Sequence, residues 1–169
     1  MRTFILTLLI LILINYNTNY GAEYHPPHFE PYNGLKIWKE RIFLLESNNN
    51  HLAVGLNHYR GLAQIGRQAA MDANVHYDSL FIPRWNDTAT VRLARNNWRY
   101  LSDCIGYIND TINGIKITKA GILAAAHLKG HSYVRAYLKT KGRINGKDAN
   151  GVSVEDRLRV MQDIYEINL

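Results

Sequence analysis

From Leu35 onward the apolar positions of the chain recur at helical spacing. Leu35, Trp38, Ile42 and Leu45 fall three, four and three apart, which predicts one apolar face of a helix. The run halts at Ser47-Asn48-Asn49-Asn50, whose short polar side chains compete for backbone hydrogen bonds and favour caps and turns. A loop carrying Gly55 and Gly61 follows, then a short helix-like stretch over 64–73. Residues 72–87, with Pro83 and Trp85 inside, show no clear period. The clearest stripe is Val91, Ala94, Trp98, Leu101, Ile105 and Ile108. It predicts a single central helix of about five turns, capped by Asp87, Thr88 or Thr90. Thr118 is placed to cap a helix through Ile122, Leu123 and Ala126 that Gly130 ends. Ser132 opens another through Val134 and Leu138. The turns Asn145-Gly146 and Asn150-Gly151 precede a last helix carrying Val154, Leu158, Met161 and Tyr165, for which Ser153 and Asp156 form a capping-box pair. Strand patterns are nearly absent. The expected class is mainly α, in a single domain over residues 35–169.

The first 22 residues follow a different pattern. Arg2 is their only charge, an apolar run from Phe4 to Ile14 is broken only by Thr7, and a polar stretch leads to Gly21 and Ala22. This is the order of a secretory signal peptide. About 11 helical residues rise only about 16 Å, well short of a hydrocarbon core of about 30 Å, so removal is expected rather than a membrane span. The protein is therefore expected to be exported, to the periplasm or the cell exterior. Residues 23–34, with Pro26, Pro27 and Pro31 and a closing Asn33-Gly34, read as an extended lead-in.

Charge and composition narrow the partners. The 20 Lys and Arg outnumber the 14 Asp and Glu, for a net charge of +6, but they are scattered. The densest groups, Lys36-Lys39-Arg41 and Lys139-Lys141-Arg143, form no continuous basic stripe, so a nucleic-acid partner is not expected. The single cysteine, Cys104, excludes an intrachain disulfide and Cys-rich zinc sites, and its place inside the strongest predicted helix points to a buried, inert thiol. None of His25, His28, His51, His58 and His76 forms an i, i+4 pair beside an acid, as a zinc protease would need. Asp148-Ala149-Asn150-Gly151 is expected to be a tight turn, because Val152 stands where a calcium loop needs its next oxygen ligand. Neither a metal nor an organic cofactor is expected.

Glu46 is the residue whose position matters most chemically. It closes an apolar helix directly after Leu44 and Leu45. A helix C-terminus carries partial negative charge, so the charged carboxylate is disfavoured there, as a carboxylic general acid requires. The plainer alternative is a solvated glutamate at a helix end. On the helix-end reading alone, Glu46→Gln should leave stability unchanged or raised.

The surrounding motifs add to this. Glu46-Ser47 closing a helix, Gly61-Leu62-Ala63-Gln64-Ile65, and Ala124-Ala125-Ala126-His127-Leu128-Lys129-Gly130 occur in that order. This resembles the lysozyme-like lytic transglycosylases, in which an E-S pair, a G-L-M-Q-I segment and an A-Y-N-A-G segment follow one another. It is most similar to a phage- or prophage-associated branch with A-A-H-L-G-G as third segment and a D-x-N-G turn, here Asp148 to Gly151, before the last helix. The resemblance spans about residues 38–160. It implies a fold like goose-type lysozyme and the soluble lytic transglycosylases, with Glu46 as catalytic acid and base. It further implies that Ser47, Gly61 and Gln64 lie at the saccharide groove, and that His127 stands where the family has a tyrosine hydrogen-bonded to the catalytic glutamate. Ala63 and Leu128 depart from the family's Met and Asn. Tyr59, Tyr77 and Trp85, expected in loops near the groove, could stack on sugars or pack into the core.

The activity so implied is cleavage of the bond between N-acetylmuramic acid and N-acetylglucosamine in peptidoglycan. Protonated Glu46 donates to the glycosidic oxygen and then takes the proton of the muramoyl 6-hydroxyl, leaving an anhydro-sugar end. A two-carboxylate hydrolase would need a partner acid, and Asp72, Asp78, Asp87 and Asp103 lie in no matching motif. The expected partner is the glycan strand, met by a monomer. The alternatives are a plain hydrolase, a catalytically silent glycan-binding or assembly module, and a secreted effector on the same fold.

Overall fold

Asn33 begins the first helix. Its side chain accepts from the Lys36 amide, and α1 runs Gly34–Ser47, burying Trp38, Ile42 and Phe43. Asn48 then turns left-handed, with its amide bonded to the Leu44 carbonyl, which ends the helix where the Ser-Asn run predicts. The structure, a computed structural model, describes residues 32–169. The expected signal over 1–22 and the lead-in up to residue 31 lie outside the described residues.

After a looped stretch come α2 (Arg67–Asp72), a 3-10 turn over Tyr77–Phe81 and α3 (Pro83–Tyr100). α3 starts earlier than the periodicity suggests. Pro83 occupies its first turn, where a missing N–H is harmless and φ is preset. Asp87, Thr88 and Thr90 therefore lie inside the helix and cap nothing. The two threonine hydroxyls donate back to the carbonyls of Arg84 and Asn86, each at 2.8 Å, and Asp87 pairs with Lys39 at 2.6 Å.

The stripe from Val91 to Ile108 is not one helix. α3 ends at Tyr100, and Ser102–Tyr107 continues as a 3-10 turn. With three residues per turn, the inward face passes from Leu101 to Cys104. Both are fully buried, whereas Ile105 is 50% exposed. Cys104 is thus in the core but outside any α-helix, and burial pushes its thiol up. A two-stranded hairpin follows, β1 (Thr111–Ile112) and β2 (Ile115–Lys116), turning at Asn113-Gly114 with both residues at positive φ.

The central helix is α4 (Lys119–Lys129). Thr118 accepts from the Gly121 amide at 3.0 Å and donates its own proton to the Met161 carbonyl at 3.1 Å. Every residue from Ala120 to Ala126 is buried, and a helix apolar all round has no face for water. Two core clusters meet on it. Ala120, Leu123 and Ala124 pack with Trp38, Ile42 and Ile164. Ile122, Ala125 and Ala126 pack with Leu101, Tyr137 and Leu158. Gly130 ends α4 and leads into α5 (His131–Lys139). Asp148 then forms the expected tight turn, its Oδ1 accepting from the Asn150 and Val152 amides. α6 (Val154–Val160) opens with the full Ser153–Asp156 capping box and packs across α4. Tyr165 lies beyond it and is exposed. The class is mainly α, as the periodicities predict, and residues 32–169 cluster as one unit. Among the described residues no helix is long and apolar enough to cross a membrane.

Two outcomes follow. Leu123→Ala and Leu101→Ala should each cost about 2–5 kcal/mol in urea denaturation, while Ile105→Ala should stay within about 0.5 kcal/mol. Equal costs would mean the 3-10 face is misassigned. A second outcome concerns Asp103, whose carboxyl is pulled down to about 2 by the Arg135 hydrogen bond, helped by Lys139. A depressed acid contributes stability that is present above its unfolded value of 3.8 and lost as pH falls towards 2. The stability difference between wild type and Asp103→Asn should therefore be constant above about pH 5 and shrink through that window. A difference unchanged down to pH 2 would contradict the assignment.

Candidate functional site

The loop over 59–66 is where distant parts of the chain meet. Arg60 bridges to Val54 on one side and to Ile65 on the other, and the Gly61 amide donates to the Ala53 carbonyl at 2.9 Å. Gly61 has φ +74°, and a side chain there would meet the Leu80 carbonyl and the Asn86 amide at 2.3 Å. Only glycine satisfies both constraints. Asn86, fully buried on α3, locks the turn. Its Oδ1 accepts from the Ala63 amide at 3.0 Å, and its Nδ2 donates to the carbonyls of Arg60 and Leu80.

The predicted site residues converge on this loop from both sides. Ser47, at the end of α1, donates to the Leu62 carbonyl at 2.8 Å, with Phe43 O as its alternative acceptor at 3.1 Å. His127, near the end of α4, places Nε2 2.8 Å from the Ala63 carbonyl. A carbonyl only accepts, so Nε2 carries the proton. The hydrogen bond of His127 thus goes to the loop and not to Glu46. Gln64, at φ +48°, turns its amide back to the carbonyls of Gly61 and Ala53, at 2.9 and 3.3 Å.

Tyr59, Gln64 and His127 line one cavity of about 410 Å³, together with Ile65, Asp72 and Asn97. Glu46, Ser47 and Gly61 are not among its lining residues. Tyr77 and Trp85 are not loop residues. Tyr77 sits buried in the 3-10 turn with its hydroxyl on the His58 carbonyl, and Trp85 rides on α3 beneath Arg84. Among the described residues, no three His, Cys, Asp or Glu side chains stand together as metal ligands.

Glu46 is not the unpartnered helix-end acid that its position suggests. Arg157 of α6 donates to its Oε1 at 2.7 Å, and the two side chains are 8% and 16% exposed respectively. Arg157 Nε is buried and has no hydrogen-bond partner. Sequence reasoning missed both Arg157 and Asn86, yet each left a signal. Arg157 falls on the buried face of α6 beside Val154 and Leu158, where an arginine is out of place unless paired. Asn86 is a polar residue in step with Ala89, Thr90 and Ala94 on the buried side of α3.

The ion pair reverses the expected effect of Glu46→Gln on stability. Removing one partner of a buried pair leaves the other charge uncompensated, at a cost of up to about 3–5 kcal/mol. Glu46→Gln should be destabilising by about 1–3 kcal/mol, since the amide still accepts one bond. The double variant with Arg157→Met should recover part of the loss, read as non-additivity in a double-mutant cycle. Additive losses would show that the pair contributes nothing as a pair. Comparison of the chain with family models, with curated proteins and with solved structures yields no match in any of the three.

Proposed function

We propose that the protein is an exported, lysozyme-like lytic transglycosylase that cleaves peptidoglycan glycan strands, with Glu46 as its single acid and base. The observation that carries this reading is the meeting of the three motif segments at one loop. Ser47 follows Glu46 and is bonded to Leu62, and His127 is bonded to Ala63. A helix-end glutamate, a Gly-x-x-Gln loop and an Ala-His segment, up to about 80 residues apart in sequence, are thereby held as one unit. Tyr59, Gln64 and His127 offer an aromatic face, an amide and an imidazole on one wall. The N–H groups of the last two are bonded to loop carbonyls, so what they present to an acetamido sugar is acceptor atoms.

Like Glu46, which pairs with Arg157, most of the aspartates that could serve as a second carboxylate are held by bases. Asp78, Asp87 and Asp103 are each engaged by a basic side chain, Arg60, Lys39 and Arg135 respectively. Asp72 accepts from Gln68 and is the only one of the four on the cavity wall, so a hydrolytic outcome would centre on it. In the transglycosylase scheme the muramoyl 6-hydroxyl, already part of the substrate, replaces water and supplies high effective molarity.

One observation favours a second reading. Proton donation requires Glu46 to leave Arg157 or to take up a proton beside it, and a glycan-binding module without activity would have no such step. Mass spectrometry of purified peptidoglycan after incubation with the protein separates these outcomes. Anhydro-muropeptides are expected; reducing ends would indicate a hydrolase, and unchanged glycan the silent module. Glu46→Gln should lower turnover at least about 100-fold, because the amide cannot donate the carboxylic proton. Wild-type cleavage by that variant would remove Glu46 from the mechanism.

A further inference from the structure

A second cavity, of about 550 Å³, lies on the far side of α2 and shares one residue, Arg67, with the cavity that holds Tyr59, Gln64 and His127. Its walls carry Asn74, His76, Tyr77 and Asp78. The charges around it do not balance. Arg60 and Arg67 both stack on the Tyr77 ring, with guanidinium carbons 4.0 and 4.6 Å from its centre. The single carboxylate among them, Asp78, is engaged by Arg60, with His76 a further 3.8 Å contact. These bases hold the Asp78 carboxyl below its ordinary range, the Arg60 hydrogen bond most of all. Arg67 makes no hydrogen bond or ion pair with any described residue. Asp72, the other nearby acid, lies five residues on and so about 140° round the helix, where it accepts from Gln68.

Arg67 is thus a guanidinium seated over an aromatic ring, without a hydrogen-bond or ion-pair partner among the described residues, at the junction of two cavities. Stacking restricts the side chain before any ligand arrives, so little freedom is lost when its planar fork meets an anion. Tyr77 in turn is fixed by its bond to the His58 carbonyl. The ligand that suits a single stacked guanidinium beside an amide and an imidazole is a carboxylate, which accepts two parallel N–H bonds.

We propose that Arg67 and the adjoining cavity form a carboxylate subsite, which recognises an acidic substituent of the glycan lying in the first cavity. This rests on the reading of the protein as one that takes peptidoglycan strands. Such strands offer carboxylates from two sources, the peptide stem and, where the stem has been removed, the lactyl group of the muramic acid. A neutral chitooligosaccharide offers neither. The subsite selects acidic strands over neutral ones.

The test measures the dissociation constants of wild type, Arg67→Gln and Arg67→Lys for three glycans at one ionic strength. These are stem-bearing strands, strands stripped of their stems by an amidase, and chitooligosaccharide. In Arg67→Gln, the preference for acidic over neutral glycan should fall about tenfold, the loss of one charge-assisted contact, while Arg67→Lys retains part of it. A fall confined to stem-bearing strands assigns the stem carboxylate, one confined to stripped strands assigns the lactyl carboxylate, and one shared by both shows that the subsite accepts either acid. A preference within twofold of wild type in Arg67→Gln overturns the subsite and leaves the peptidoglycan reading intact. Binding of none of the three glycans by wild type overturns both.

Discussion

Everything described in this chain is arranged around one helix with no side facing water. Residues 120–126 of α4 are small or aliphatic, and their burial on all sides forces other elements to surround them. The neighbours approach closely because the helix is thin. A Cβ at Gly121 would lie 3.2–3.3 Å from Leu158, so α6 packs on α4 with almost no side chain between. The backbone of α4 is anchored where it emerges. The Trp38 indole donates to the Ala120 carbonyl at 3.1 Å, and Lys119 donates to the Ile167 carbonyl at 2.9 Å. The two core clusters meet on this helix, and Trp98 packs against both, so they are joined through it.

The same helix explains how the candidate site is held. His127 lies in its last turn and reaches the Ala63 carbonyl, so the loop over 61–65 is fastened to the most buried element of the protein. Ser47 fastens the other side of that loop to α1, and Asn86 fastens it to α3. A loop tied to three helices is a rigid element despite having little regular structure. That is the condition for presenting Tyr59 and Gln64 in fixed positions on a cavity wall. The helix-end acid is fixed by a different route, through a charge on α6.

Local signals in the chain were readable wherever one residue decides the structure. The Ser-Asn stop after α1, the Thr118 cap, the Gly130 break and the Ser153–Asp156 box each act within a few residues, and each appears where its chemistry places it. The reading failed where geometry changed without a change of spacing. Leu101, Ile105 and Ile108 fit an α stripe on paper, but a switch to three residues per turn turned Ile105 outward, while Cys104 is buried as expected. The site was legible in part for the same reason. Glu46, Ser47 and His127 stood out through their neighbours in sequence. Arg157 acts from 111 residues away, and nothing local indicates which acid it meets. The pairings of Asp87, Asp78 and Asp103 were likewise set by tertiary neighbours.

The position of Ile164 and Ile167 has a consequence for the order in which the protein is made. Both side chains complete the cluster that contains Trp38 and Ile42, and Met161 joins them there. That cluster therefore joins residues separated by more than a hundred positions, contacts whose loops are slow to close. During synthesis α1 leaves the ribosome long before the residues that cover its apolar face. Until they arrive, Trp38, Ile42 and Phe43 have only part of their native cover, the part that Ala63, Ile65 and Leu80 supply. The cluster around α1 is thus completed only once residues 161–167 have been released.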